Sequence, residues 1–236
     1  MASGVDFEDI YRHHAEEYHA LISAEDRDGH LLPALVGLAP LAGATVLEVG
    51  AGTGRVTGLL LAAGARVVAT ERAPAMLEVA RRQLGPPAQG RCALVCADAR
   101  ALPVRADWAD VALAGWVFGH MRAWHAATWR DEVERGLAGM DRALRPGGTL
   151  VVIETLGTGE TEPGPPSPGL AEYYAWLERE QGMRRAAIRT DYAFPDAETA
   201  ARTLGFFFGA EFAARVRREG WARVPECTGL WWRPRR

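Results

Sequence analysis

Short apolar segments alternate with helical segments between Thr45 and Thr155, and this alternation limits the possible folds more than any other feature. Strands flanked by helices in this way favour right-handed crossovers and a parallel sheet with helices on both faces. The predicted strands are Thr45–Val49, Arg66–Thr70, Ala93–Cys96, Trp108–Ala114 and Thr149–Thr155. The predicted helices between them are Gly54–Ala63, Ala75–Leu84 and Ala126–Leu144, the last ending before an Arg-Pro-Gly-Gly turn.

Further elements flank this alternation. Asp6–Ser23 has apolar residues at helical spacing, and Leu31–Leu38 is a second short helix. Gly157–Gly169 is rich in Gly, Pro and acids, which indicates a loop. The elements predicted after it are a helix over Leu170–Gln181, an extended stretch near Arg189–Phe194, helices ending at Leu204 and Glu219, and a strand near Thr228–Trp232.

Glycines and acids follow the first strands at the points where a parallel sheet binds ligands. Gly50–Gly54 separates the first strand from its helix, and Glu48 lies inside the strand just before it. Glu71 ends the second strand and Asp98 follows the third. Ligands of open parallel sheets bind beyond the carboxyl ends of the strands, so these groups should face one ligand.

Two classes of cofactor use such an arrangement. Dinucleotide enzymes need Gly-x-Gly-x-x-Gly, but here the third glycine comes one residue early and Arg55 takes the place of the last glycine. Glu48 would also repel a pyrophosphate, and a buried carboxylate without a partner costs several kcal/mol. S-adenosylmethionine carries an ammonium, a sulfonium and no phosphate, so the acids favour S-adenosylmethionine.

The ordered motifs resemble those of the class I S-adenosylmethionine-dependent methyltransferases, of the small-molecule type. The similarity covers Ala44 to Glu154 and consists of VLEVGAGTGRVT, VVATERAPAML, CADARALPV, DVALAGWVFGHM and LRPGGTLVVIE. It implies a Rossmann-like, doubly wound α/β fold with a mostly parallel seven-stranded sheet and helices on both faces. Within one structural domain, we expect an N-terminal helical cap over residues 1–43, an S-adenosylmethionine-binding core over 44–156, and a C-terminal part over 157–236 that completes the sheet and includes a helical insertion or substrate lid.

The resemblance also implies which residues bind the methionyl half of the cofactor. Glu48 would reach the ammonium directly or through water, and the backbone of Ala114 or Gly115 would face it. Tyr11 and Tyr18 would close over the cofactor, with plain helix packing as their alternative role. The loop residues that would line this half through their backbone are Gly50, Ala51, Gly52 and Gly54.

For the adenosine half, the resemblance implies a separate set of residues. Glu71 would accept both ribose hydroxyls, with Arg72 and Met76 beside the adenosine. Asp98 would accept from the adenine amino group, and Ala99 would offer its backbone to the ring.

Candidates for the acceptor side follow the fourth strand. His120 is the candidate general base, since histidine ordinarily titrates near neutral pH; a surface or helix-cap histidine is the alternative. Trp116, His120, Trp124 and, further along, Tyr173 are the candidate substrate contacts. The many aromatic residues beyond the fifth strand indicate either core packing or a lid over an apolar substrate.

Composition excludes several other functions. All 27 basic residues are arginine, so neither a Schiff-base lysine nor a phosphate-loop lysine can exist. The net charge of −3 and the lack of a basic extension longer than Arg-Pro-Arg-Arg argue against nucleic acid. The three cysteines do not have zinc-site spacing, so we expect no metal. Acids near the N-terminus and the lack of a long apolar run predict a cytoplasmic protein without a membrane partner.

The predicted function is therefore S-adenosylmethionine-dependent methyl transfer to a small-molecule acceptor, with S-adenosylhomocysteine as the product. A non-catalytic module that binds either of these compounds stays open, as does, less strongly, a methylthio- or polyamine-type transferase. The glycine spacing and Glu48 argue against a nicotinamide-dependent oxidoreductase. The sequence leaves open which atom is methylated and which oligomer forms.

Overall fold

A seven-stranded sheet forms the centre of the protein in the computed structural model, which describes residues 6–236. Its strand order is β3-β2-β1-β4-β5-β9-β6, and the pairs from β3 to β5 are parallel, whereas β9 is antiparallel to both of its neighbours. The predicted mostly parallel sheet is confirmed. The strands are β1 Thr45–Val49, β2 Arg66–Glu71, β3 Cys92–Cys96, β4 Ala109–Gly115, β5 Leu144–Thr158, β6 Arg184–Arg189, β7 Tyr192–Ala193, β8 Arg223–Val224 and β9 Glu226–Pro234, with β7 and β8 forming a small separate pair.

Helices cover both faces of this sheet. Leu47 and Val49 of β1 belong to a core that includes α7 and α8, whereas Val46 belongs to the opposite core with α3 and α4. Each fully buried Val or Leu stabilises the fold by about 1.5–3 kcal/mol. The helices are α1 Phe7–His13, α2 Ala15–Ile22, α3 Leu31–Leu38, α4 Arg55–Ala62, α5 Pro74–Leu84, α6 Phe118–Trp124, α7 Trp129–Ala143, α8 Pro168–Arg179, α9 Ala197–Phe208 and α10 Ala210–Glu219.

The helix predicted over residues 6–23 is in fact two helices. Asp6 caps α1 by accepting hydrogen bonds from the N–H groups of Glu8 and Asp9. The helix ends at His14, whose φ of −127° and ψ of 37° are not helical. The break lets α2 bury Leu21 in a cluster with α9, while α1 packs on α5. Residues 1–5 of the predicted cap lie outside the described residues.

The region between β4 and β5 also differs from the prediction. The long helix begins at Trp129 rather than at residue 126, and an unpredicted helix, α6, precedes it. The Arg-Pro-Gly-Gly turn lies within β5, where the pairing shifts from Ala109↔Leu144 to Val111↔Thr149. Gly147 has a φ of +81°, which an L side chain rarely adopts, so the strand bulges there.

The Gly/Pro-rich segment after β5 is anchored to the C-terminal elements. The N–H of Gly159 donates to the carbonyl of Pro225 at 2.7 Å, and Arg215 pairs with Glu160 at 2.8 Å. Ser167 then caps α8 by accepting from Leu170 N–H. Within residues 6–236, no helix has the length and apolar character needed to span a membrane.

Candidate functional site

The loop between β1 and α4 lies where the strand order reverses, because β1 pairs with β2 on one side and with β4 on the other. The N–H groups of Gly50 and Ala51 both donate to the carbonyl of Thr70, at 2.8 and 2.9 Å. Gly50 and Gly52 have φ values of +72° and +56°. A Cβ added at Gly52 would meet nothing closer than 3.8 Å, so the loop leaves room for a ligand beside its backbone.

Glu71 at the end of β2 supports this loop. Its Oε2 accepts from the Gly52 N–H at 3.1 Å, and its Oε1 accepts from the Ala73 N–H at 2.9 Å. Each carboxylate oxygen can accept two hydrogen bonds, so each keeps one position for a ligand donor. Burial raises the pKa of Glu71, against the opposing effect of these backbone N–H groups. A pair of hydroxyls on a ligand would complete its hydrogen bonding.

Glu48 is buried beneath the loop, on the face of β1 that points towards α4. The hydroxyl of Thr57 on α4 donates to Glu48 Oε2 at 2.6 Å. Burial, with a smaller effect of the nearby Glu71, raises the pKa of Glu48 to about 7, against the lowering effect of the Thr57 hydrogen bonds. A cationic ligand would favour the ionised form of this carboxyl group.

Asp98, after β3, is already paired with Arg100. Its Oδ1 accepts from both the backbone N–H and the Nε of Arg100 at 2.8 Å, and its Oδ2 accepts from Nη2 at 2.6 Å. Arg100 lowers the pKa of Asp98 to about 2, so the carboxyl group is ionised. Only Oδ2 keeps a lone pair for a further donor, which restricts the contact predicted with an adenine amino group to this one atom.

Gly50, Gly52, Glu71 and Asp98 line a first cavity of about 90 Å³ along the carboxyl ends of the strands. The structure places thirteen of the predicted cofactor and substrate residues on its wall. They are Tyr11, Tyr18, Gly50, Gly52, Glu71, Arg72, Met76, Asp98, Ala99, Gly115, Trp116, His120 and Trp124.

His120 joins the N-terminal helices to α6 across the first cavity. Its Nε2 is 2.9 Å from the Tyr11 hydroxyl, and its ring stacks on Trp124 with the centroids 5.1 Å apart. Burial, with a smaller effect of the Arg72 charge, lowers the pKa of His120 to about 4. The imidazole is therefore neutral at pH 7, and it is a weaker base than the ordinary histidine pKa implies.

A second, larger cavity of about 360 Å³ adjoins the first. Six residues line both cavities: Tyr18, Gly50, Gly52, Gly115, Trp116 and His120. Trp116 has a left-handed backbone with a φ of +54°, and the guanidinium of Arg55 lies 4.5 Å from the centre of its ring. A ligand in one cavity can therefore contact a ligand in the other near Trp116.

Several predicted site residues lie elsewhere. Glu48 and Ala51 line the second cavity rather than the first. Gly54 lines neither; a Cβ there would come within 3.3 Å of Ala80 and Leu84, so this glycine permits helix packing. Ala114 is fully buried in β4 and lines neither cavity.

Tyr173, predicted as a substrate contact, lines neither of these two cavities. It is fully buried, and its hydroxyl donates to Oε1 of Glu154 at 3.3 Å. Glu154 does line the second cavity, and it also accepts from the Gly119 N–H at 2.9 Å. Tyr173 is thus a core residue that positions an acid of the second cavity.

The sequence interpretation missed three acids of the second cavity, Glu25, Glu154 and Glu226. Glu154 is the second-last residue of the predicted fifth strand, as Glu48 is of the predicted first strand, so the same signal was present. Glu226 begins β9, and only the antiparallel pairing with β5 brings it to this edge. Glu25 follows α2 and carries no sequence signal. Among residues 6–236, no group of three His, Cys, Asp or Glu residues could hold a metal ion.

Comparison with known proteins places this site in context. Residues 47–152 match a family model described as a methyltransferase domain. A demethylmenaquinone methyltransferase of Clavibacter sepedonicus is 39% identical over 119 residues, which are 50% of this chain and 43% of that protein. A ribosomal RNA small subunit methyltransferase A of Anaeromyxobacter sp. (strain K) is 50% identical over 74 residues, 31% of this chain and 23% of that protein. The chain spans less than half the length of the curated relatives it matches.

The fold is also shared with solved structures. The phosphoethanolamine N-methyltransferase 2 of Haemonchus contortus, in complex with S-adenosyl-L-methionine, superposes with a TM-score of 0.61 at 16% identity. The match covers 97% of this chain and 60% of that one.

Proposed function

We propose that this chain, whose residues 47–152 match a methyltransferase domain, transfers a methyl group from S-adenosylmethionine to a small-molecule acceptor. The observation that supports the cofactor is the set of carboxyl groups along the crevice. Glu48, Glu71 and Asp98 lie at or just after the carboxyl ends of β1, β2 and β3, beside a glycine loop with space for a ligand. An acidic wall of this kind suits a cationic, ribose-bearing ligand and repels a pyrophosphate.

In this proposal the two halves of the cofactor contact different walls. Glu71 accepts the ribose hydroxyls through the two free positions of its carboxylate, and Oδ2 of Asp98 accepts one donor from the adenine. Glu48 balances the positive charge of the methionyl end. Tyr11 and Tyr18 cover the crevice from α1 and α2.

The chemistry needs little from the protein beyond alignment. When bound, S-adenosylmethionine supplies a methyl group whose bond to sulfur breaks as an electron pair of the acceptor forms the new bond, and sulfur keeps the bonding electrons. Alignment alone can supply about 7–11 kcal/mol of rate enhancement. Trp116 and His120 line both cavities and would fix the relative positions of acceptor and methyl group. Because its imidazole is a weak base, we assign His120 to positioning.

The choice of a small-molecule acceptor rests on the second cavity. It is enclosed by side chains from α2, α4, α6, α9 and β9, and an acidic set of residues lines it. The two relatives above are named for a quinone and for ribosomal RNA, so relatives of this family differ in their acceptors. An acidic chain and an acidic cavity favour a small molecule over RNA.

Titration calorimetry with S-adenosylmethionine, S-adenosylhomocysteine and NAD tests the cofactor assignment. We expect the first two compounds to bind and NAD not to bind. Binding of NAD alone would contradict the assignment. Methyl transfer to any acceptor would exclude a purely non-catalytic binding module.

The ionisation of Glu48 gives a prediction for cofactor affinity. Because its pKa is raised to about 7, the carboxyl group is largely protonated near pH 6 and ionised above its pKa. The methionyl amino group is still mostly protonated at pH 7.5, since α-amino groups ordinarily titrate near 7.7–8.0. We expect affinity for S-adenosylmethionine to rise about tenfold between about pH 6 and pH 7.5. Calorimetry in a single buffer series measures this change.

Glu48→Gln is the matched variant for that measurement. Glu71 and Arg55 influence the same carboxyl group, and Glu154 and Glu226 in the adjoining cavity also titrate near neutral pH. The variant should bind more weakly at pH 7.5 and lose most of the pH dependence. An equal pH dependence in the variant would assign the effect to one of the other groups.

A further inference from the structure

The second cavity carries most of the unsatisfied buried polar atoms found among residues 6–236. Four side chains that line it have a buried polar atom without a hydrogen-bond partner. These atoms are Oε1 of Glu25, Nη1 of Arg55, Nε of Arg122 and Oε2 of Glu226. Each such atom costs about 1–3 kcal/mol if it stays unpaired. Their concentration around one cavity points to a polar ligand that supplies the missing partners.

Glu25, Arg55 and Glu226 form a cluster on one wall of this cavity. Nη2 of Arg55 lies 3.0 Å from Oε2 of Glu25, and the Thr155 hydroxyl donates to Oε1 of Glu226 at 2.8 Å. One carboxylate oxygen of Glu25 and one of Glu226 thus has a partner, whereas the other oxygen of each has none. The hydroxyls of Thr190 and Tyr192 lie near enough to Glu25, and that of Thr158 near enough to Glu226, to lower the pKa of these acids. None of the three makes a hydrogen bond of ordinary geometry to Oε1 of Glu25 or Oε2 of Glu226.

This cluster has more acidic than cationic groups. Burial raises the pKa of Glu25 and raises that of Glu226 to about 8, and the charge of Glu25 adds to the effect on Glu226, whereas Arg55 lowers both. Glu48 and Glu154 add two more acids to the cavity wall. The other arginine of the wall, Arg122, is paired with Glu172 at 2.9 Å. When Glu25 and Glu226 are both ionised, Arg55 balances only one of them, so a ligand that brings one positive charge would stabilise the ionised form of the cluster.

We propose, on the basis of the function proposed above, that the methyl acceptor carries a protonated amine that is bound between Oε1 of Glu25 and Oε2 of Glu226. An ammonium has donors for both oxygens and still one more. Leu21, Phe207 and Phe208 line the same cavity, so the rest of the acceptor is apolar or aromatic. Carboxylate acceptors are disfavoured, because they would add a negative charge beside the two acids.

The test uses three probes of similar size with different charge: phenethylamine, 2-phenylethanol and phenylacetate. Each is titrated calorimetrically into the full chain, alone and saturated with S-adenosylhomocysteine. We expect phenethylamine to bind at least about tenfold more tightly than 2-phenylethanol, and phenylacetate to bind most weakly. Glu226→Gln keeps the shape of the side chain but removes the charge, so it should abolish this preference, as should Glu25→Gln.

Glu162→Gln, at an exposed position in the loop after β5, is the charge-matched control and should keep the preference. Thermal unfolding and S-adenosylhomocysteine affinity show that each variant is folded. The proposal is overturned if phenethylamine binds no better than 2-phenylethanol, including the case in which neither binds, or if both glutamine variants keep the preference. The amine preference is also measured without S-adenosylhomocysteine. Failure of S-adenosylhomocysteine to bind would therefore contradict the cofactor assignment and leave the test of the amine preference intact.

Discussion

Replacing Glu71 by glutamine is expected to weaken S-adenosylmethionine binding about a hundredfold, one of the two largest effects predicted for this site. The carboxylate accepts from the backbone N–H groups of Gly52 and Ala73 and keeps one position on each oxygen for a ribose hydroxyl. In the glutamine variant an NH₂ group replaces one oxygen and faces an N–H donor. The variant therefore loses a charged acceptor and also disturbs the glycine loop. Titration calorimetry measures the dissociation constant.

The control for Glu71→Gln is Glu78→Gln. Glu78 lies on α5, is exposed, and pairs with Arg81 on the same helix. Removing its charge should change the affinity by less than about twofold, since exposed ion pairs contribute little. 5′-Methylthioadenosine has the ribose but no ammonium, so Glu71→Gln should weaken its binding while Glu48→Gln should not. An unchanged affinity in Glu71→Gln would refute the ribose assignment.

The strands of the core could be predicted because their residues are buried on both sides. Leu47 and Val46 face opposite cores, so β1 is a nearly continuous apolar segment, a pattern that a surface strand lacks. Helix ends depend on tertiary contacts and were predicted less well. The break at His14 has no glycine or proline to mark it. Both helices pack on α5 and α2 also packs on α9, so the break depends on tertiary contacts rather than on a local signal.

The walls of the first cavity could be predicted from local sequence, whereas two acids of the second cavity could not. Glu71 ends β2 and Asp98 lies just beyond β3, so their common location follows from the order of the parallel strands. Glu25 and Glu226 are far apart in the chain, and their segments are joined through Thr190, whose carbonyl accepts from the Asp26 N–H and whose N–H donates to the carbonyl of Glu226. No periodicity within a short segment can indicate such a pair.

Gly50→Ala is expected to lower the free energy of unfolding by about 3 kcal/mol and to weaken cofactor binding as well. A Cβ on Gly50 would lie 2.2 Å from Cγ2 of Val117, and the residue has a φ of +72°. Val117 directly follows Trp116, which lines both cavities, so a shift of Val117 would displace this wall too. Chemical denaturation and calorimetry measure the two effects.

A second substitution separates the steric clash from the backbone strain. Val117→Ala removes the methyl group that the new Cβ would meet. The double variant should therefore recover the steric part of the lost free energy of unfolding. The left-handed backbone at residue 50 should still cost about 1–2 kcal/mol.

Gly37→Ala is the control, because a Cβ there meets nothing within 4 Å and the residue lies in α3. It should be neutral or stabilising by up to about 1 kcal/mol. If Gly50→Ala had the same free energy of unfolding as this control, the result would contradict the close approach of the glycine loop to Val117. If the double variant recovered nothing, the loss would come from the backbone alone, and the loop would not be coupled sterically to the wall that the two cavities share.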